Sequence, residues 1–303
     1  MIRVLVTGAG GQVGGEVARE LQGRAEVVAF DRGMLDLADT GAIAARVREV
    51  RPDVIVNAAG YTAVDRAEDD PAAARAINSI APGVLAEEAR RVGALLVHYS
   101  TDYVFDGRLA RPYVEIDAPN PLNVYGRTKL DGENAIAASG AAHLILRTSW
   151  VYGPLGQNFM LAMLRLAAQK DEVRVVDDQH GAPTSSRQLA RATLDLFARG
   201  ERSRVLEAAD VERVKDASGV YHATAAGETT WFGFAQAIFE RARLPRTPRL
   251  VAIATREFGA RAARPANSVM SNAKLERTFG VRLAPWRDGL EEIVRSGYFS
   301  AEK

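Results

Sequence analysis

The chain has 303 residues, 47% apolar and 25% charged, which is the composition of an ordinary globular protein and excludes collagen-like, disordered and disulfide-framework classes. A formal net charge of +1 provides no global field to draw in nucleic acid or a membrane surface. With no cysteine there are no disulfides, thiolate nucleophiles or cysteine-ligated zinc, and four scattered histidines offer no metal-ligand spacing.

The N-terminus runs Met1-Ile2-Arg3-Val4-Leu5-Val6 straight into a glycine turn, without the length or flanks of a signal peptide. No apolar run approaches membrane-spanning length, so a cytoplasmic protein with no membrane partner is expected. Ile2 to Thr7 is a β-branched apolar run suited to a buried parallel strand. It is followed by Gly8-Ala9-Gly10-Gly11-Gln12-Val13-Gly14 and a helical pattern from Glu16 to Leu21. Strand, glycine turn and helix are what a diphosphate needs, because glycine permits close backbone approach and a helix N-terminus offers free N–H groups. The same residues also suit a merely structural turn. The next strand, Glu26 to Phe30, shifts the balance: it ends at Asp31, 23 residues after Gly8, where an acid accepts from the adenosine ribose. Arg32 beside it suits a 2′-phosphate instead, so NAD and NADP both stay open.

A helical pattern through Thr40 to Val50 leads to a third buried strand, Asp53 to Asn57, whose end carries Ala58-Ala59-Gly60, small enough for a flat ligand to lie against the backbone. Pro71 to Val92 is predicted as one long alanine-rich helix and Ala94 to Tyr99 as the fourth strand. Strands alternating with helices indicate an α/β fold with a Rossmann-type doubly wound parallel sheet.

Ser100-Thr101-Asp102-Tyr103 stands at the end of that fourth strand, placing hydroxyls where a substrate carbonyl or alkoxide can be held. Arg108 to Pro121 is predicted as an active-site loop, and the helix Leu122 to Ala138 carries Tyr125 and Lys129, four apart and therefore on one face. An ammonium beside a phenol lowers its pKa from about 10, which would make Tyr125 a usable acid. The alternative is a surface tyrosine, with Lys129 paired to Glu133 one turn on. Leu144 to Arg147 is the fifth strand, ending at Thr148-Ser149-Trp150; Asn158-Phe159 opens another helix, and Gln179 to Thr184 is expected to border a nucleotide diphosphate. The basic stretch Arg241 to Arg264 suits a solvated face, while Arg264 with Asn267 suits a diphosphate anchor.

Four segments, HYSTDYVF (His98 to Phe105), PLNVYGRTK (Pro121 to Lys129), RTSWVYG (Arg147 to Gly153) and GAPT (Gly181 to Thr184), closely resemble the dTDP-4-dehydrorhamnose reductase family of the extended short-chain dehydrogenase/reductases. The resemblance spans nearly the whole chain, and the stretch from 199 to 219 is uninformative. It implies a six- or seven-stranded Rossmann sheet in residues 1–150 with the catalytic helix, and a smaller C-terminal α/β lobe in 151–303, some of whose segments return to the sheet. It further implies reduction of the 4-keto group of dTDP-4-dehydro-L-rhamnose by NADH or NADPH, a step of dTDP-rhamnose and cell-wall polysaccharide biosynthesis.

By match to the family's motifs, Tyr125 is the proton donor, Lys129 its partner and Thr101 the residue bonded to the sugar oxygen. Cofactor contacts are expected at Gly8, Gly11, Gln12, Val13, Gly14, Asp31, Arg32, Asp36, Leu37, Ala59, Gly60, Tyr61, Thr62 and Tyr99, together with Tyr125 and Lys129. Substrate contacts are expected at Thr101, Asp102, Tyr103, Trp150, Asn158 and Arg264. Some relatives bridge subunits with magnesium through glutamates; Glu16 matches one such position, but Arg187 stands where the second acid belongs. A basic residue cannot ligate a cation. No metal and a monomer or weak homodimer are therefore expected. A nucleotide-sugar dehydratase or epimerase is the enzymatic rival, disfavoured because Tyr103 replaces the acid beside Thr101-Asp102. The non-enzymatic rival is an NADP-binding regulatory subunit of a methionine adenosyltransferase, since fold alone does not settle function.

Overall fold

The short apolar runs become a six-stranded sheet: β1 (Arg3–Thr7), β2 (Glu26–Phe30), β3 (Val54–Asn57), β4 (Leu95–Thr101), β5 (His143–Thr148) and β6 (Gly219–His222). The structure, a computed structural model, describes residues 1–198, 204–242, 244 and 246–298, without the side chains of 297 and 298. Spatial order is β6-β5-β4-β3-β1-β2, with every neighbouring pair parallel. The chain leaves β1 for β2 on one side and returns to β3 on the other, which opens a crevice at the carboxyl ends of β1 and β3 where ligands bind in such sheets.

Helices cover both faces. One apolar core joins β1, β3, β4 and β5 to α1 (Gln12–Glu20), to Ser186–Ala198 and to Leu275. The other lies beneath α2 (Thr40–Val50) and α3 (Ala81–Val92). Leu35 and Leu37 are buried in that second core, in a turn-rich segment that follows β2. The helix expected to run unbroken from Pro71 to Val92 is interrupted by a π-helical turn, Ala76–Ile80, ahead of α3. Pro82 has no N–H to offer the carbonyl of Asn78 four residues earlier, so the regular ladder cannot continue there.

A third core belongs to the C-terminal lobe and gathers Tyr152, Met160, Phe234 and Trp286. The lobe adds a parallel pair, Glu172–Val176 with Arg249–Ile253, and a short pair, Val151–Tyr152 with Thr184–Ser185. Ser186–Ala198 and β6 come from this half of the chain yet pack on and join the main sheet.

Candidate active site

The glycine turn is built so that only glycine fits at two positions. Gly8 has φ +72°, and a Cβ on it would lie 2.7 Å from the backbone nitrogen of Ala59, so the turns after β1 and β3 touch. A Cβ on Gly14 would strike the carbonyl of Gly8. α1 then starts from Gly11 without a side-chain cap, leaving its first N–H groups for a ligand. Asp31 stands beside Gly10 and accepts from the N–H groups of Gly33 (2.9 Å) and Met34 (3.0 Å). Asp31, Arg32, Asp36, Gly60 and Thr62 are exposed along this edge, whereas Leu37 is 5% exposed and belongs to the core. Asn78 clamps the backbone of Tyr61, accepting its N–H at 2.8 Å and donating to its carbonyl at 3.0 Å. An uncapped helix end, a turn of fixed glycines and an acid at the next strand end suit a dinucleotide.

The helix α4 (Val124–Ala138) begins where Asn123 accepts the N–H of Gly126 at 2.7 Å, and Gly126 itself lies against the carbonyl of Tyr103. This presents Tyr125 in the first turn, edge-on to Tyr103 with ring centroids 5.7 Å apart. The Tyr125 hydroxyl faces the Thr101 side chain. Thr101 in turn donates to Asp102 at 3.0 Å and accepts from the N–H of Tyr103 at 3.1 Å. Burial pushes the Tyr125 phenol up to about 12; the Thr101 contact opposes the rise and the Asp102 charge adds to it. Asp102 is 3% exposed with one oxygen unpartnered, and burial lifts its carboxyl to about 6 against contacts from Ser268 and Thr101.

Lys129 differs from its sequence expectation. Its ammonium donates to the carbonyl of Tyr99 at 2.6 Å and lies 3.1 Å from His98 Nε2, and it has no part in the Tyr125 shift. Helical spacing aligns the Cβ atoms, but a four-carbon stem lets the amine reach β4 instead of the phenol. The expected lowering of the phenol by Lys129 is therefore corrected to a rise caused by burial. Burial brings Lys129 down to about 8, partly offset by Glu133. Glu133 does not pair with Lys129. It holds Arg147 through contacts of 2.6, 3.1 and 3.2 Å and also accepts from Ser100, all 4% exposed or less. Tyr99, expected at the cofactor, turns its ring away to Thr193 and offers the site its carbonyl.

On the lobe side, Trp150 adopts φ +48° and stacks on Trp231 with centroids 3.6 Å apart and rings 7° from parallel. Gly181 lies directly against the Trp150 indole, and Gln179 accepts from Trp231 Nε1 at 3.1 Å. Arg264 pairs with Asp65 at 2.8 Å and contacts the Tyr103 side chain, while Asn267 holds the carbonyls of Leu109 and Arg111. Asn158 caps the helix Phe159–Gln169 and donates to Gln12 at 2.9 Å, so it touches the glycine turn. Glu16 is neutralised by Arg19 and by Arg187, the latter at 3.3 Å. Among the described residues, no group of three His, Asp or Glu side chains is arranged to hold a metal.

Sequence reasoning missed Asn57, Asn78, His98 and Trp231. Asn57 and His98 were visible as polar residues in otherwise apolar strands, and Asn78 as a polar residue four before a mid-helix proline. Trp231 gave no signal, since a lone tryptophan is usually core.

The model of the family described as RmlD substrate binding domain matches residues 2–298. The chain is 47% identical over 300 residues to a dTDP-4-dehydrorhamnose reductase of Burkholderia thailandensis, covering 97% of this chain and 98% of that one. It is 41% identical to a dTDP-4-dehydrorhamnose reductase of Escherichia coli, with 97% of each chain covered. Its structure is similar to the crystal structure of dTDP-4-dehydrorhamnose reductase from Bacillus anthracis in complex with NADP, with a TM-score of 0.88 and 34% identity over 97% of this chain and 99% of that one.

Proposed function

The chain belongs to the dTDP-4-dehydrorhamnose reductase family, and from that membership we propose that it reduces the 4-keto group of dTDP-4-dehydro-L-rhamnose to give dTDP-L-rhamnose, using NADPH or NADH. The observation that carries this reading is the meeting of Thr101, Tyr125 and Lys129 at the carboxyl edge of β4, on the face of the crevice opened by the glycine turn.

When bound in that crevice, the nicotinamide coenzyme supplies the hydride that the carbonyl carbon takes up. As charge grows on the sugar oxygen, Thr101 turns its hydroxyl proton from Asp102 to it and Tyr125 gives it a proton. With its phenol raised to about 12, Tyr125 is protonated at neutral pH, which is the form a reduction needs. Lys129 brings a positive charge to the same edge and holds the nicotinamide ribose through the N–H it does not use inside the protein. The turn residues Gly11, Gln12 and Val13 at the head of α1 hold the diphosphate, and Asp31 or Arg32 meets the adenosine ribose. Trp150, Asp102, Tyr103 and Arg264 border the sugar nucleotide, and Asn158 serves it indirectly by holding Gln12.

The same reading divides the chain near residue 150 into a coenzyme domain (1–150) and a sugar-nucleotide lobe (151–303), whose segments 186–198 and 219–222 return to the sheet. Among the described residues, no helix is long and apolar enough to cross a membrane. We place the protein in the cytoplasm as a monomer or weak homodimer without a nucleic-acid partner, supplying dTDP-L-rhamnose for cell-wall polysaccharide. The test follows NADH and NADPH consumption separately with dTDP-4-dehydrorhamnose and with its UDP analogue. Oxidation of either coenzyme with the dTDP sugar is expected; oxidation of neither, with the protein folded, overturns the reading.

A further inference from the structure

Four buried polar side chains lie in a line across β1, β3, β4 and α4. Thr7 Oγ1 lies 2.7 Å from Asn57 Oδ1, Asn57 Nδ2 lies 3.0 Å from His98 Nδ1, and His98 Nε2 lies 3.1 Å from Lys129 Nζ. Thr7 faces Asn57 across β1 and β3, and Asn57 faces His98 across β3 and β4, so register alone aligns the three. None of the four is more than 4% exposed. Apolar residues would pack these positions at lower cost, because each buried polar group must be satisfied.

Among the described residues Lys129 forms no ion pair. Its Tyr99 contact uses one of three ammonium N–H groups and its His98 contact engages a second, leaving one for the site. Burial and the neighbouring Lys129 charge hold His98 well below the usual imidazole range, so the ring stays neutral and remains an acceptor. A neutral ring that accepts at Nε2 carries its proton on Nδ1. That proton faces the Asn57 amide, which receives it through oxygen once the amide is turned over and then donates to the Thr7 hydroxyl.

We propose that His98 is the positioning residue of Lys129, with Asn57 against its second ring nitrogen, so that one lysine N–H is aimed at the reacting edge without an internal carboxylate to neutralise it. The titratable and charged groups around Lys129 are His98 from β4, Tyr125 and Glu133 from α4, Arg147 of β5 behind Glu133, and Asp102 beyond Tyr125. Glu133 is already engaged by Arg147 and Ser100, which leaves His98 as the side chain that bonds the amine directly. This inference rests on the reductase reading.

The experiment measures kcat against pH for the parent, His98→Leu and His98→Gln, with melting temperatures recorded alongside. Leucine removes the acceptor, and glutamine restores a polar end at the Nε2 position. His98→Leu is expected to lose at least about tenfold in kcat and to move the alkaline limb, set by Lys129, about one unit lower, because the charged amine loses a hydrogen bond. His98→Gln is expected to recover most of both. A folded leucine variant with its limb unmoved, or a glutamine variant no better than leucine, overturns the proposal. Should the leucine variant fail to fold, ¹⁵N spectra of the parent's histidines decide. A neutral His98 protonated at Nδ1 from about pH 5 to 9, whose Nε2 resonance shifts as Lys129 titrates, supports it, and a ring that titrates normally overturns it. A parent that oxidises neither coenzyme removes the functional reading, while the spectra still decide the role of His98.

Discussion

Lys129 donates to the backbone carbonyl of Tyr99 at 2.6 Å, although its helical partner by spacing is Tyr125. A buried cation so held has a folded pKa of about 8 against 10.5 in the free side chain. Between those values the native state binds fewer protons than the unfolded chain, so stability rises with pH across that window. Lys129→Met removes the titration. The stability of the parent relative to the Met variant is expected to climb from about pH 8 to 10.5, by at most about 1.4 kcal/mol per pH unit, in urea unfolding at stepped pH. A constant difference would show that the amine is not desolvated.

Tyr125→Phe keeps the ring that packs edge-on against Tyr103 and loses only the hydroxyl on Thr101. Turnover is expected to fall by about 10²–10⁴-fold, the usual contribution of a placed acid. Coenzyme affinity, measured by equilibrium titration, is expected to stay close to the parent's. An active Phe variant would remove Tyr125 from the mechanism.

Burial shifts Asp102 upward, whereas the other shifted carboxylates among the described residues are lowered. Its folded pKa of about 6 exceeds the ordinary 3.8 of a free aspartate, so the native state binds more protons in that interval and the group's contribution to stability falls as pH rises through it. Asp102→Asn mimics the protonated form. The stability of the parent relative to the Asn variant is expected to fall between about pH 4 and 6, as followed by thermal unfolding; parallel curves would contradict the burial of the free carboxylate.

Arg147 and Glu133 form an ion pair that is 4% exposed on each side, with Arg147 also lying 5.2 Å over the Phe105 ring. Arg147→Met leaves Glu133 buried without its cation, which costs about 3–5 kcal/mol. Denaturant unfolding measures this, and a loss below about 1 kcal/mol would mean that water reaches the carboxylate.

Gly181 supports the Trp150 indole with no side chain between them. Gly181→Ala is expected to tilt Trp150 off Trp231 and raise the KM for the sugar nucleotide by about tenfold, leaving coenzyme affinity intact. Equal losses for both ligands would show a general disruption of the lobe.

Fold class, the glycine turn, and the placement of Thr101 at a strand end and of Tyr125 and Lys129 on one helix were legible in the sequence because each depends on local pattern: an apolar strand, a φ that glycine alone accepts, a helical spacing of four. The π turn at Ala76–Ile80 and the return of β6 to the sheet were not legible as such. The first depends on how a helix containing Pro82 packs on α4, and the second on a strand pairing across a sequence separation of about 75 residues, which periodicity cannot report. The sequence by itself determined which groups stand at the carboxyl edge of β4. Tertiary structure decided their electrostatics, because burial and partners at long separation set both the direction of the Tyr125 shift and the contact that holds Lys129. Residues 57 and 98 come within hydrogen-bonding distance through strand pairing alone, and no local pattern carries that information.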